Sequence, residues 1–319
     1  MKQGEVLCVT PHTAVDHVIE IDAFTAGTTF RAMSSNFFPA GKGINAAVGV
    51  ATLGHQSKAT GFVGELNKDL FKMLNDDRVQ TSFIVVPGRT RTNVTISEHN
   101  PSRETHIQTA GFSVDDEAVL QLQQLIAATV SKDHVVVLGG SVPPGTAPQF
   151  MSQLVSLCVK SGAYVILDSS GEALLEGLKG RPHMIKPNIS ELQDIAPGAD
   201  LSNETAIIAS AKRALVDGPG RIVVSRGSLG LLMIDNPRGE IWSARVDIGK
   251  QNVTTSVGSG DAVVAAFAVK RLENDSPQET IRLAAACGAA NLLNRPPGRF
   301  RTEDVEALLP QVIVTRLYV

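Results

Sequence analysis

Residues 254–270, TTSVGSGDAVVAAFAVK, hold the densest grouping of chemically useful residues in the chain. A short turn, Val257-Gly258-Ser259-Gly260, runs into Asp261, and an apolar helical stretch begins at once with Ala262, Val263 and Val264. Glycines let successive backbone N–H groups turn inward and approach a ligand closely. The start of the helix adds N–H groups with no intrahelical acceptor and the positive end of the helix dipole. Gly258, Ser259 and Gly260 therefore describe an anion hole suited to phosphate. A carboxylate at its mouth is odd, because it repels an anion. Asp261 is either the helix N-cap, a role Asp fills well, or a general base that takes a proton from a hydroxyl attacking a phosphoryl group.

A second turn, Gly41-Lys42-Gly43-Ile44-Asn45, opens a helix over 45–53 that stops at Gly54. Backbone donors, an ammonium and an amide meet there, a composition suited to a polyhydroxylated or phosphorylated ligand. It is not the Walker pattern, since the lysine lies between the glycines and no Ser or Thr follows it. Arg91 opens an alternating strand; it is either a fork for phosphate or a plain surface residue. Asp16 and His106 lie in stretches that read as exposed strand, where a surface group is the simpler interpretation. Ser141, Asp168, Lys186, Asn188, Ser225 and Gly227 each follow an apolar run.

These residues need a frame. A β-like run over 5–10 ends at Pro11, and 12–38 alternates in places. A strand over 59–63, a helix over 67–75 and β-like runs over 83–86 and 93–98 follow, with 105–108 as hairpin partner. From Ser113 the pattern becomes regular. Ser113 with Asp116 gives a capping signal for a helix over 115–130. Strands over 134–139, 164–167, 184–186 and 221–224 alternate with helices over 147–160, 171–178 and 203–216. Strands over 231–234 and 240–246 and helices over 261–272, 277–293 and 302–309 complete the chain. This alternation predicts an α/β fold, a doubly wound and mostly parallel sheet with helices on both faces. Such sheets bind ligands at the carboxyl ends of their strands, where the polar residues above fall. The two β-rich excursions near 12–38 and 88–110 predict a small sheet that covers one edge as a lid, all within one domain spanning Met1–Val319.

Composition narrows the functions. The 319 residues are 43% hydrophobic, enough for a large core, and 4% aromatic, too few for base-stacking platforms. A net charge of −3 provides no basic field for nucleic acid. Cys8, Cys158 and Cys287 are far apart and read as reduced core residues. The N-terminal run is too short for a signal peptide and no apolar run reaches membrane-spanning length, so a cytoplasmic protein is expected.

With these motifs in place, the chain resembles the PfkB, or ribokinase-like, carbohydrate kinases from Val9 to about Asn291. AGKGINAAVGVATLG at 40–54 resembles the first family signature, TTSVGSGDAVVAAF at 254–267 the second, and Ile185-Lys186-Pro187-Asn188 with Glu191 the KPN and NxxE elements. ThrPro at 10–11 with Asp16, ThrArg-x-Asn at 90–93, GlySerValProProGly at 140–145 and LeuAspSerSerGlyGluAla at 167–173 most resemble the 1-phosphofructokinase and tagatose-6-phosphate kinase branch. The resemblance implies ATP- and Mg²⁺-dependent transfer of phosphate to a hydroxyl of a sugar that is already phosphorylated. It implies Asp261 as catalytic base and Gly258, Ser259 and Gly260 as the anion hole. Asp16, Gly41, Lys42, Asn45 and Ser141 would contact sugar hydroxyls, with Arg91 and Lys42 on the sugar phosphate. Asn188 and Glu191 would hold Mg²⁺ through water; Lys186, Ser225 and Gly227 would meet the ATP phosphates, and Asn291 would lie near the adenine.

The chain departs from the family pattern at His12-Thr13, where the branch usually has Asn-Pro, at Ala40, at Gly139-Gly140 and at Ser259, the usual alanine of GAGD. Thr255-Ser256 stands where many members have the Asp-Thr that helps bind K⁺, which leaves a monovalent cation open. A kinase of an unphosphorylated sugar or nucleoside, and a non-catalytic ligand-binding regulator, are the competing readings. Val18, Ile19, Val94 and Ile96 would be exposed on a solitary lid, so a homodimer through the lid is expected.

Overall fold

The computed structural model describes residues 4–76, 78–100, 103–215, 218–249, 253–255, 257–274 and 276–318. Ser256, named above for a monovalent cation, lies outside the described residues. The frame is a ten-stranded sheet. From one edge, β5 (Val79–Val86), β4 (Ser57–Gly64), β1 (Val6–His12), β8 (Val135–Gly139), β9 (Tyr164–Asp168), β10 (Met184–Ile185) and β11 (Arg221–Ser225) run parallel. β12 (Leu231–Asp235), β13 (Glu240–Arg245) and β14 (Ile313–Leu317) continue it antiparallel.

Side chains alternate across this sheet into two cores. Val6 and Cys8 of β1 and Val135 and Val137 of β8 enter one; Leu7, Val9, Val136 and Leu138 enter the other. The first core is closed by α1 (Lys42–Thr52), α7 (Ser259–Glu273), α8 (Pro277–Leu292) and α9 (Thr302–Leu308). The second is closed by α2 (Asp116–Thr129), α3 (Phe150–Lys160), α4 (Gly171–Lys179), α5 (Ile189–Ile195) and α6 (Glu204–Ala214). Helix α7 is buried without a break from Asp261 to Val269, as expected of a helix apolar all round. Glycines let its neighbours come close. A Cβ on Gly49 of α1 would stand 2.7 Å from the Cβ of Ala265, and one on Gly288 of α8 would stand 2.9 Å from Cγ2 of Val263.

The two excursions form a separate four-stranded sheet in the order β3 (Ser34–Ala40), β2 (Ala14–Ile21), β6 (Arg91–Glu98), β7 (Arg103–Gln108). Its register aligns Asp16 with Asn93 and Phe38, and His17 with Val94 and Phe37. Successive residues point to opposite faces, so one face carries Asp16, Asn93 and Thr95 and the other His17, Phe37, Val94 and Ile107. Of the apolar residues expected to be exposed, Val18 is buried and Ile19, Val94 and Ile96 are half-buried. The open apolar surface lies instead on Phe37, 48% exposed, and Ile107, 51% exposed.

Several local expectations change. β1 continues through Pro11 to His12, because the pairing with β4 shifts register between Thr10 and His12 and Pro is tolerated at such an irregularity. Glu65–Leu74 is a 3-10 helix with Asn67 out of helical conformation. The N-cap of α2 is Asp115, whose carboxylate accepts from Ala118 N, and not Ser113. Helix α5 and strand β14 had no counterpart in the sequence reading; β14 is an edge strand with no buried residue to mark it. Among the described residues, no helix is long and apolar enough to cross a membrane.

Candidate active site

β1 is flanked by β4 on one side and β8 on the other, so the chain order reverses around its carboxyl end. Such a switch point leaves a crevice. Asp168 ends β9, Lys186 follows β10, Lys42 begins α1 and Asp261 lies in the first turn of α7. Lys42 Nζ donates to Asp168 Oδ1 at 2.9 Å and stands 3.9 Å from Glu191 Oε1. Lys186 Nζ is 3.6 Å from the same Asp168 oxygen. Asn45 Nδ2 donates to Asp261 Oδ2 at 2.8 Å.

Gly258, not Asp261, is the N-cap of α7. Its φ of 87° is the left-handed conformation glycine supplies, and a Cβ there would meet the backbone N of Gly298 at 2.2 Å. Asp261 is the third helical residue, so the capping reading of its carboxylate is excluded. The N–H groups of Ser259 and Gly260 precede any intrahelical acceptor. A Cβ on Gly260 would lie 2.9 Å from Lys186 Nζ, which places the ammonium directly against the turn. Ser259 Oγ points the other way and donates to Gly288 O at 2.9 Å, tying α7 to α8. The departure from alanine at this position thus serves packing.

Burial and the neighbouring Asp168 charge push the Asp261 carboxyl up to about 6, against the pull of Lys42, Asn45 and Lys186. Burial acts upward on Asp168 too, but Lys186 and Lys42 together hold it below the ordinary carboxylate range. Burial pulls the Lys42 ammonium down, and Asp168, Asp261 and Glu191 more than offset it, so its pKa is raised. This leaves the Asp261 carboxyl poised to exchange a proton near neutrality.

Toward the lid, Asp16 is 8% exposed and accepts from Asn93 Nδ2 at 3.0 Å. Burial raises its pKa, with Asn93, Arg299, Arg91 and His106 opposing. Arg91 donates from Nη2 to His12 O at 3.1 Å and from Nε to Thr13 O at 3.3 Å. Burial lowers its pKa, against Asp16. The His12 ring is buried; Nδ1 stands 3.4 Å from Ser141 Oγ, while Nε2 meets no partner. Burial and the Arg91 charge bring its pKa to about 4, so the ring is neutral at pH 7. Lys42 and Arg91, expected to share the sugar phosphate, bond to different groups: Lys42 joins the carboxylate cluster and Arg91 pins the lid entrance.

On the opposite side, Ser225 N donates to Pro187 O at 2.9 Å and bridges to Asn188, which joins the ends of β11 and β10. Gly227 has φ 58° and open space where a side chain would be. Asn188 and Glu191 form a reciprocal cap on α5: Glu191 N donates to Asn188 Oδ1 at 2.8 Å and Asn188 N to Glu191 Oε2 at 2.9 Å. Glu191 Oε1 is left facing Lys42. Asn291 is fully buried and its Nδ2 donates to Val257 O at 2.8 Å, so it supports the anion turn from behind. Gly41 has φ 130°, and a Cβ there would strike Thr10 Cγ2 at 2.5 Å.

Two residues of the cluster had no role assigned from sequence. Asp168 was legible as a polar residue ending an apolar run and as part of the LeuAspSerSerGlyGluAla motif at 167–173, with no role attached. Arg299 gave no signal, yet its Nη1 donates to Asn45 Oδ1 at 3.2 Å. A cavity of about 630 Å³ lies elsewhere, against β12, β13 and β14, and none of these residues lines it.

Residues 7–299 match the pfkB family carbohydrate kinase model. The 1-phosphofructokinase of Bacillus subtilis (strain 168) is 33% identical over 316 residues, covering 98% of this chain and 100% of that protein. A tagatose-6-phosphate kinase of Staphylococcus epidermidis (strain ATCC 12228) is 26% identical, covering 97% of this chain and 99% of that protein. The structure of phosphofructokinase-2 from Escherichia coli in complex with potassium superposes with a TM-score of 0.87 at 26% identity, over 97% of this chain and 99% of that one. The fold expected from sequence, a ribokinase-like α/β sheet with a small β lid, is the fold observed. This chain belongs to the pfkB family of carbohydrate kinases.

Proposed function

We propose that this chain is an ATP- and Mg²⁺-dependent kinase of a phosphorylated ketohexose, fructose 1-phosphate or tagatose 6-phosphate, and that it forms the bisphosphate. One observation carries this reading. A buried carboxylate with its pKa near 6 lies in the first turn of the helix that opens the anion hole, beside two lysines paired with a second carboxylate. The acceptor hydroxyl donates to Asp261, which orients it and takes its proton as the new O–P bond forms and the bond between the γ-phosphorus and the bridging oxygen of ATP breaks, so that ADP leaves. The N–H groups of Ser259 and Gly260 and the Lys186 ammonium receive the charge that develops on the phosphoryl group. Asp168 holds Lys42 and Lys186 in place, so both cations are ordered before ATP arrives.

The site fits a metal bound through phosphate and water. Among the described residues, no group of three His, Cys, Asp or Glu side chains makes a direct metal cage. Asn188 and Glu191, whose Oε1 faces Lys42 at 3.9 Å, would hold Mg²⁺ through water, and the ion would neutralise phosphate charge. Ser225 and Gly227 would meet the ATP phosphates, and the space beside Gly227 is open. Asn291, expected near the adenine, would also support the anion turn through the bond from its Nδ2 to Val257 O. The Thr255 hydroxyl and the Thr254 carbonyl are bonded to Glu104 and Arg295, so no residue is assigned to K⁺.

On the acceptor side, Asp16, Asn45 and Ser141 would bind sugar hydroxyls, Gly41 would let the backbone approach, and Arg91 would take the sugar phosphate. The lid excludes water from the reacting groups. We read the chain as one catalytic domain with this lid. The outer lid face, with Phe37 stacked on His17 at 4.0 Å and Ile107 beside Val94, would pair with the lid of a second copy in a cytoplasmic homodimer.

The test is Mg-ATP turnover on fructose 1-phosphate, fructose 6-phosphate, tagatose 6-phosphate, fructose, ribose and adenosine, read by coupled ADP formation. Turnover on fructose 1-phosphate or tagatose 6-phosphate is expected. Activity confined to a neutral acceptor would overturn the sugar-phosphate assignment, and ATP binding with no turnover on any acceptor would favour a regulator.

A further inference from the structure

Arg299 is a half-buried arginine at the acceptor side of the site, and among the described residues no carboxylate stands within ion-pair distance of it. Its Nη1 donates to Asn45 Oδ1 at 3.2 Å and to Gly298 O at 3.0 Å, and its Nη2 reaches Pro39 O on β3 at 3.4 Å. Asp16 and Asp261 are the carboxylates that act on its charge, and burial still brings its pKa to about 10. The cation therefore persists at pH 7. Keeping a charge in such a place costs free energy, so the contact it makes requires an explanation.

The backbone around it is built to deliver that contact. Gly298 has φ 73°, and a Cβ there would meet the Asn45 amide carbon at 2.4 Å and both its polar atoms at 2.7 Å. Gly258 packs on the other side, where its own Cβ would strike Gly298 N at 2.2 Å and Gly298 Cα at 2.4 Å. The Gly298-Arg299 segment is thus wedged between the anion turn and Asn45. An amide presents two similar ends, and its direction is set by its partners. A guanidinium can only donate, so Asn45 must turn its oxygen to Arg299 and its NH₂ to Asp261 Oδ2.

We infer that Arg299 is the positioning residue of the acceptor site: it locks the Asn45 amide, which occupies Asp261 Oδ2 and leaves Asp261 Oδ1 for the acceptor hydroxyl. This deepens the kinase reading and rests on it. Without Arg299 the Asn45 oxygen loses its charged donor, the amide is free to rotate, and the base loses its fixed direction. The groups that face Asp261 are Lys42 and Asn45 from α1, Asp168 from β9 and Lys186 beyond β10, with Arg299 the further charge behind Asn45.

The test is a double-mutant cycle on the wild-type substrate, with Arg299→Met, Asn45→Ala and the pair. Wild-type turnover on the same sugar phosphate establishes that the kinase reading holds before the cycle is read. Arg299→Met is expected to lower kcat roughly 10- to 100-fold, the loss of a charge-assisted, partly buried hydrogen bond, with KM for ATP within about twofold. In the Asn45→Ala background the same change should cost less than about threefold, because the partner through which it acts is gone. Arg299→Lys, which keeps one donor, should recover part of kcat, and added guanidinium ion should raise the activity of Arg299→Ala. Losses that multiply in the double variant, or wild-type kcat in Arg299→Met, overturn the proposal. If Arg299→Met fails to fold, the lysine variant and guanidinium rescue decide, and no recovery in either overturns it.

Discussion

The Asp261 carboxyl makes a prediction in which activity and stability move in opposite directions. Its pKa stands at about 6 in the folded protein against an ordinary value of 3.8. Below 3.8 the group is protonated both folded and unfolded, and its neutral form sits in the native site without penalty. As pH rises, the unfolded chain ionises first and the folded chain only near 6, so native stability is lost through this window. The loss is about 3 kcal/mol once the pH is well above 6. Asp261→Asn keeps the shape and the hydrogen bond from Asn45 while removing the charge. The variant should therefore match wild type in thermal unfolding near pH 4 and exceed it by several degrees at pH 8, scaling from roughly 2–4 °C per kcal/mol in somewhat shorter domains. Its turnover should fall about 100- to 10,000-fold while ATP still binds. The assay is differential scanning calorimetry of both proteins across that pH range, with coupled kinase activity on the same preparations. A difference in Tm that does not grow with pH, or near-normal turnover, would refute the placement of a strained, charged base at this position.

The same shift predicts that wild-type kcat falls tenfold per pH unit below about 6, and that Asp168→Asn, which removes a neighbouring negative charge, moves this limb to lower pH. A pH–rate series on both proteins checks it, and an unmoved limb would separate Asp261 from the titration. Arg91→Ala should raise KM for the sugar phosphate about 10- to 100-fold with little change in KM for ATP, measured by initial rates; an unchanged KM would point to a neutral sugar. Gly258→Ala forces a Cβ against the Gly298 backbone at a left-handed φ, and should destabilise by about 3 kcal/mol in denaturant titration. Phe37→Asp with Ile107→Asp on the outer lid face should give a monomer by sedimentation, and a wild-type monomer at working concentration would end the dimer proposal.

The sequence alone determined the features that depend on near neighbours. Alternating strand and helix periods from Ser113 onward specified the sheet, since burial on both faces demands all-apolar strands such as Val135–Gly139. The glycine turn before α7 was legible because only glycines permit Gly258's backbone and the close approach of Lys186 to Gly260. The two lid excursions stood out by their polar alternation. Elements with no local period were silent: β14 pairs with β13 across almost 70 residues of chain and buries none of its own, and α5, though capped locally by Asn188 and Glu191, is only seven residues long, too short for a helical period to show. The site divides in the same way. Asp261, Lys42, Lys186 and Asn188 were named from motifs, but whether Asp261 capped a helix or carried a free carboxylate was decided only by the fold, which gives the cap to Gly258. Asp168 reaches Lys42 across 126 positions, and Arg299 reaches Asn45 across 254. No local pattern encodes such pairs. The tertiary structure alone decides which carboxylate is held ionised by two lysines and which is left with a raised pKa, because desolvation and Coulomb energy depend on what surrounds a group in space.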